Sequence, residues 1–189
     1  MTGFEADIER CLQVLHEGGT ILYPTDTVWG IGCDATNAAA VQKIIGLKDR
    51  PASKAFIVLV ADERDIFKYV ASPEPQIFDF LRKTTRPTTV IYQGPVGLAD
   101  QLVHDDGTVA IRIVQETFCK HLLKRFRKPI VSTSANISGA PTPATYRQIP
   151  AAIREGVDYV VCYRQDDETP SQPSSIVKWN RGSLTYIRH

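Results

Sequence analysis

The chain lacks the metal and nucleotide signatures that most quickly assign a chemistry. Its four cysteines, Cys11, Cys33, Cys119 and Cys162, include no Cys-x-x-Cys pair. Thiols this far apart read as reduced, mostly buried side chains of a cytosolic protein, and not as zinc ligands. His16, His104, His121 and His189 are equally scattered, and no His-Glu-x-x-His occurs, so that metalloprotease pattern is excluded. There is neither a Walker A lysine loop nor a Gly-x-Gly-x-x-Gly turn. Any nucleotide site must therefore use hydroxyls and dispersed cations. No apolar run approaches membrane-spanning length, and the opening Thr2-Gly3-Phe4-Glu5 is not an apolar signal segment. A cytoplasmic protein with no membrane partner is expected. Neither sign of charge dominates: 22 Lys and Arg against 21 Asp and Glu leave a formal net charge of +1, so any basic patch has to be local. No linker, internal repeat or low-complexity tract divides residues 1–189, which read as a single domain with a substantial core.

What is present centres on Val131 to Thr142. A short apolar run, Pro129-Ile130-Val131, reads as a strand. Ser132, Thr133, Ser134 and Ser138, the carboxamide of Asn136 and Gly139 follow, almost without charge. Small hydroxyls and amides suit a polyanion lying close to the backbone. They equally suit an ordinary Ser/Thr-rich turn.

The rest of the chain alternates helical and strand patterns. Ile8, Cys11, Leu12 and Leu15 share one helical face, with capping-box spacing at Thr2 and Glu5 and a stop at Gly18-Gly19. Thr20 to Tyr23 reads as a buried strand that Pro24 ends; Thr25, Asp26 and Thr27 follow as a turn or a ligand site, and Gly30 and Gly32 allow close approach or positive φ. Asn37 caps a helix to Leu47. Lys48, Arg50 and Lys54 then cluster around Pro51 at the mouth of a strand, Phe56 to Val60, where phosphate-binding cations are useful. Helices are predicted over Asp62–Tyr69 and Pro75–Lys83 and a strand over Thr88–Tyr92; Gly94 to Gly107 reads as an irregular, mobile connection. The strand Thr108 to Ile113 carries Arg112, expected on the solvent face unless an anion partners it. Phe118, Leu122, Leu123 and Phe126 mark a helix whose basic end, Lys124 to Lys128, complements its dipole, with RNA contact a lesser option. Thr145 to Glu155 reads as partly helical and broken near Pro150, and Tyr159 to Tyr163 as a strand. A hairpin joins Ser174–Trp179 to Leu184–Ile187 through Asn180-Arg181-Gly182. The pattern predicts one α/β domain with a mixed, twisted sheet.

Five segments together resemble the YrdC-like family, the threonylcarbamoyl-AMP synthases. They are Tyr23-Pro24-Thr25-Asp26-Thr27-Val28-Trp29-Gly30, Lys48-Asp49-Arg50-Pro51, Thr108-Val109-Ala110-Ile111-Arg112, Ser134-Ala135-Asn136 with Ser138-Gly139, and Ser174-Ser175-Ile176-Val177. They stand in family order and cover nearly the whole chain. The chain ends where short members of the family end, so the extra C-terminal domain of longer members is expected to be absent.

The resemblance implies helices flanking a twisted sheet around a deep, positively charged cavity. It implies condensation of L-threonine, bicarbonate or CO2 and ATP into threonylcarbamoyl-adenylate and pyrophosphate. Partner proteins then transfer the threonylcarbamoyl group to adenosine 37 of tRNA. By motif, Lys48, Arg50, Ser134 and Asn136 correspond to the family's signature tetrad, and Lys54, Thr108, Thr142 and Arg181 to further ATP-side positions. Thr27, Arg112, Ser132 and Ser174 correspond to the threonine pocket. Cations at Lys48 and Arg50 suit stabilisation of a departing pyrophosphate. An arginine fork suits the amino-acid carboxylate, and magnesium is expected to bridge the phosphates through substrate oxygens and water. The family often has proline at Ala55, histidine at Leu59 and aspartate at Lys178. Its Trp-Pro-Gly-Pro-x-Thr segment is Thr84-Thr85-Arg86-Pro87-Thr88-Thr89 here. A divergent paralogue that binds nucleotide or double-stranded RNA without this synthase activity is the alternative, and any affinity for tRNA is expected to be weak.

Overall fold

The period-two apolar segments assemble into one mixed sheet. In the computed structural model, residues 3–49, 56–180 and 182–189 are described. In chain order the elements are α1 (Glu5–His16), β1 (Ile21–Tyr23), β2 (Gly30–Gly32), α2 (Ala38–Lys48), β3 (Ile57–Val60), α3 (Glu63–Tyr69), α4 (Pro75–Lys83) and β4 (Thr88–Gln93). β5 (Thr108–Ile113), α5 (Thr117–Phe126), β6 (Ile130–Ser134), α6 (Ala151–Gly156), β7 (Tyr159–Val160), β8 (Ser175–Asn180) and β9 (Ser183–Arg188) follow. The strand order among the described residues is β7-β1-β2-β6-β3-β5-β4-β8-β9. The β1–β7, β3–β5 and β4–β8 pairs are parallel and the others antiparallel.

Register gives each face of this sheet a different chemistry. Val131, Val58, Ile111, Val90 and Val177 are directly paired from strand to strand and form one buried apolar row. Adjacent residues point the other way. There Ser132, Ile57, Ala110, Ile91 and Lys178 make one row, and Leu59, Arg112, Thr89, Ile176 and Arg188 the next. The first face belongs to the core, with α3 and α5 packed on β3. The second carries the polar residues that build a cavity.

Local signals place most elements. The Asn37 side chain accepts from Ala40 N–H at 3.1 Å, starting α2, and Asp62 and Asp65 form a capping box on α3. At α1 the N-cap is Phe4, with no side-chain cap; Thr2 lies outside the described residues.

Several expectations need correction. Gly30 and Gly32 belong to a strand, and close approach is their reason. A Cβ on Gly30 would lie 2.9 Å from Ser132 Oγ, and one on Gly32 would lie 2.6 Å from Val131 O. β6 continues to Ser134 because Thr133 and Ser134 pair with β2, so the hydroxyl run begins inside the sheet. β7 is only Tyr159–Val160. The Gly94–Gly107 connection is anchored: Ala99 N–H bonds Ala35 O at 2.9 Å, a 3-10 turn spans Asp100–Leu102, and Leu102 is buried. Near Pro150 the chain breaks as expected, between a 3-10 turn at Tyr146–Gln148 and α6.

Candidate functional site

A cavity of about 300 Å³ opens on the polar face of the sheet. Six expected site residues line it: Thr27, Arg112, Ser132, Ser134, Thr142 and Ser174. They come from three strands or strand ends and two loops, so strand register brings them together. Arg50, Lys54 and Arg181 lie outside the described residues.

Arg112 is the electrostatic centre, and it is not on a solvent face. Its side chain is 2% exposed, and its Nη2 lies 3.2 Å from Asp26 Oδ1. The loop after β1 delivers that carboxylate. Thr25 Oγ1 accepts from Thr27 N–H at 3.0 Å and donates to Val28 O at 2.8 Å, which closes a small turn around Asp26. Asp26 Oδ2 accepts from Gln115 N–H at 3.0 Å. The charges of Asp26 and Arg112 are adjacent, yet Arg112 Nε and Nη2 and Asp26 Oδ1 make no hydrogen bond among the described residues. Leaving buried donors unmade costs about 1–3 kcal/mol each. An anionic ligand that reaches the fork would remove that penalty.

A second arginine stands at the rim. Arg188, on β9, donates from Nε to Ser174 O at 2.9 Å. Ser174 Oγ in turn pairs with Thr89 Oγ1 at 2.8 Å. Burial, and then the neighbouring Arg112 charge, lower the Arg188 pKa from the ordinary arginine range. The cavity lining carries two neighbouring guanidiniums, with Asp26 against Arg112 alone, and so makes a local positive field that the near-neutral chain as a whole does not have. Sequence reasoning missed Arg188, because nothing in a strand whose neighbours Tyr186 and Ile187 are exposed marks it as a site residue.

The Ser134–Thr142 loop rests on Lys48. This lysine was expected in a turn at a strand mouth; it closes α2 instead and is fully buried. Its Nζ donates to Asn136 O at 2.5 Å and to Ser134 O. Ser138 N–H bonds back to Lys48 O at 2.9 Å. The Asn136 carboxamide donates to Ile137 O at 3.0 Å and Ala140 O at 2.8 Å, which turns the loop, while its Oδ1 is buried without a hydrogen-bond partner among the described residues. Gly139 takes the left-handed conformation that completes the turn, at φ +88°. A cation at a helix C-terminus that also holds two carbonyls is a brace for the backbone above it.

Thr108 does not line the cavity; its hydroxyl is bound to Asp106 at 2.6 Å, and His104 Nδ1 lies 2.9 Å from the same oxygen. His104 does line the cavity, and it belongs to no metal-binding pattern in the sequence that would mark it. Of the departures from the family pattern, Leu59 is fully buried beside Arg112 across the β3–β5 pair, and Lys178 bonds Asp106 Oδ2 at 3.1 Å. Ala55 lies outside the described residues.

Two of the four cations at the basic end of α5 are ion-paired within the chain. Arg125 pairs with Glu9 and Glu5, and Lys128 Nζ with Asp34 at 2.7 Å.

A family model named Sua5_yciO_yrdC and described as "Telomere recombination" matches residues 13–189. The chain belongs to the Sua5/YciO/YrdC family. It is 30% identical over 175 residues to a threonylcarbamoyl-AMP synthase of Pseudoalteromonas translucida, covering 91% of this chain and 92% of the relative. It is 33% identical over 159 residues to that of Idiomarina loihiensis, covering 82% and 86%. The fold is similar to that of Escherichia coli YciO, with a TM-score of 0.83 at 19% identity, covering 97% of this chain and 89% of YciO. It is also similar to Sua5 of P. abyssi complexed with L-threonine, with a TM-score of 0.81 at 22% identity. That match covers 97% of this chain, which spans 54% of the longer Sua5 chain. Family membership thus agrees with the five sequence segments, and the overall α/β fold agrees with both structures.

Proposed function

We propose that this protein is a threonylcarbamoyl-AMP synthase. It condenses L-threonine, bicarbonate or CO2 and ATP into threonylcarbamoyl-AMP and pyrophosphate, within one YrdC-like domain spanning residues 1–189. The observation that carries the reading is Arg112, a buried guanidinium in a hydroxyl-lined cavity, ion-paired with Asp26 yet with Nε and Nη2 making no hydrogen bond among the described residues. Relatives at 30% and 33% identity that bear the synthase name support it.

In this reading the Arg112 fork takes the threonine carboxylate, with Thr27, Ser132 and Ser174 supplying hydroxyl partners around it. The threonine amine adds to CO2 and loses a proton, forming a carbamate. A carbamate oxygen attacks the α-phosphorus of ATP, and the bond to the bridging oxygen breaks as pyrophosphate leaves. Charge collects on that leaving group, so fixed donors lower the barrier and no protein nucleophile is required. Arg50, Lys54, Thr142 and Arg181 are the proposed partners of the triphosphate, with Arg188 added from its place at the rim. Lys48 acts from beneath, holding Ser134 and Asn136 where they face the substrate, and Thr108 belongs to the nucleoside end.

Among the described residues no group of three His, Cys, Asp or Glu side chains could hold a metal ion. The donor set of hydroxyls and guanidiniums does not form a protein cage for Mg2+. Magnesium is proposed to be held by phosphate oxygens and water, where it neutralises phosphate charge. No helix among the described residues is long and apolar enough to cross a membrane. A cytoplasmic location, weak contact with tRNA and hand-over to threonylcarbamoyl-transfer proteins belong to the same proposal.

The test is incubation with ATP, threonine and labelled bicarbonate. Labelled adenylate and one pyrophosphate per adenylate are expected. ATP binding without product for any amino acid would favour a nucleotide-binding paralogue.

A further inference from the structure

At the outer end of β5 a tight turn folds His104, Asp106 and Thr108 onto one another. His104 N–H donates to Thr108 O and Gly107 N–H to His104 O, both at 2.8 Å. Thr108 Oγ1 donates to Asp106 Oδ1 at 2.6 Å, and Thr108 N–H reaches the same oxygen at 3.2 Å. Lys178 Nζ holds the other carboxylate oxygen at 3.1 Å. His104 Nδ1 lies 2.9 Å from Thr108 Oγ1.

Proton counting sets the direction of this chain. A hydroxyl carries one proton, and a carboxylate only accepts. The Thr108 hydroxyl and then the Lys178 ammonium hold the Asp106 carboxyl below its ordinary range, so it is ionised near neutral pH. The Thr108 proton therefore points at Asp106, and its oxygen can only accept from His104 Nδ1–H. In the neutral ring the other nitrogen, Nε2, then carries a lone pair. Nε2 is buried and makes no hydrogen bond among the described residues, on a side chain that lines the cavity.

We propose that His104 Nε2 accepts a hydrogen bond from the nucleoside part of ATP, from a ribose hydroxyl or the adenine amino group. The inference rests on the synthase reading and adds a specificity residue to it. Distance selects the nucleoside. Thr108 and Arg112 are four positions apart on β5, about 13 Å along the strand. An amino acid held by its carboxylate at Arg112 does not span that gap, whereas an adenylate does. Asp106 and Lys178 are positioning residues, acting on His104 through the Thr108 hydroxyl.

The experiment measures threonine-dependent pyrophosphate release at pH 8. ATP is compared with 2′-deoxy-ATP, 3′-deoxy-ATP and the triphosphate of purine riboside, in the native protein and in His104→Phe and His104→Gln. One analogue is expected to raise KM about tenfold in the native protein, the worth of one hydrogen bond, and it identifies the donor. His104→Phe should raise KM for ATP by the same factor, change kcat little and add no further loss with that analogue. His104→Gln, which keeps an acceptor, should recover part of the affinity. Imidazole 15N resonances of the native protein should report the Nδ1-protonated tautomer. The inference is overturned if the native protein treats all three analogues like ATP, if the ring is protonated at Nε2, or if His104→Phe weakens ATP and every analogue equally. If native protein releases no pyrophosphate from ATP, the synthase reading falls and takes this inference with it.

Discussion

Asp26 Oδ1 lies 3.2 Å from Arg112 Nη2, both side chains are buried, and neither atom makes a hydrogen bond among the described residues. The pair is close enough for charge attraction and too poorly aligned to satisfy either partner. Asp26→Asn is therefore expected to destabilise the fold by roughly 3 kcal/mol, as for removing one partner of a buried ion pair. Threonine should stabilise this variant more than the native protein, because its carboxylate supplies the missing anion. Urea midpoints with and without threonine check this; an equal shift in both proteins contradicts it. Arg112→Gln should raise KM for threonine by about 10–100-fold, the range for a charged hydrogen bond.

Lys48 braces a loop from below, so its loss should appear in two measurements. Lys48→Met leaves the carbonyls of Ser134 and Asn136 without their ammonium and should lower stability by about 1–3 kcal/mol. Pyrophosphate release should fall on the order of a hundredfold, the effect of misplacing an electrostatic donor. Arg50→Ala should show the same rate loss without the stability loss. Full activity in either variant removes that residue from the proposed machinery.

Leu59 is buried beside Arg112 across the β3–β5 pair and offers no hydrogen bond to an amino-acid hydroxyl. Threonine should be preferred to valine, through the remaining hydroxyls. The threonine-to-serine ratio should rest on one methyl group, worth roughly 1–3 kcal/mol. Leu59→His should raise that ratio. Adenylate formation with the three amino acids decides it, and an unchanged ratio excludes position 59 from selectivity.

Burial pushes the thiols of Cys11, Cys33 and Cys119 far above their ordinary value of 9.0, while Cys162 is exposed. The thiolate is the reactive form. A disulfide reagent at pH 7.5 should therefore modify one thiol in the native protein, none in Cys162→Ser and all four in denaturant. The sign for stability follows from proton binding. Above pH 9 the folded state retains protons that the unfolded thiols release, so stability is full below that pH and falls as pH rises beyond it. Rapid labelling of Cys162→Ser would contradict the burial of the other three.

The amino-acid sequence by itself determined the features that depend on near neighbours. Asn37 capping α2, Pro24 ending β1, the alternation of Val109 and Ile111 with Ala110 and Arg112, and the break at Pro150 all follow from local sterics and period-two or period-3.6 patterning. The five family segments were equally legible, because each is a short contiguous string. Only the tertiary structure decided which polar residues meet. Packing of segments far apart in the chain placed Arg112 beside Asp26 and put Lys48 beneath the carbonyls of a loop nearly ninety positions away, while the β8–β9 hairpin set Arg188 against Ser174. Register is the reason: a shift of one residue in β5 would turn Arg112 away from the cavity and Ile111 into it. The direction of the proton on Thr108 likewise depends on Lys178 arriving from β8 to hold Asp106. No local pattern encodes either relationship, because both are set by which distant strands find each other during folding.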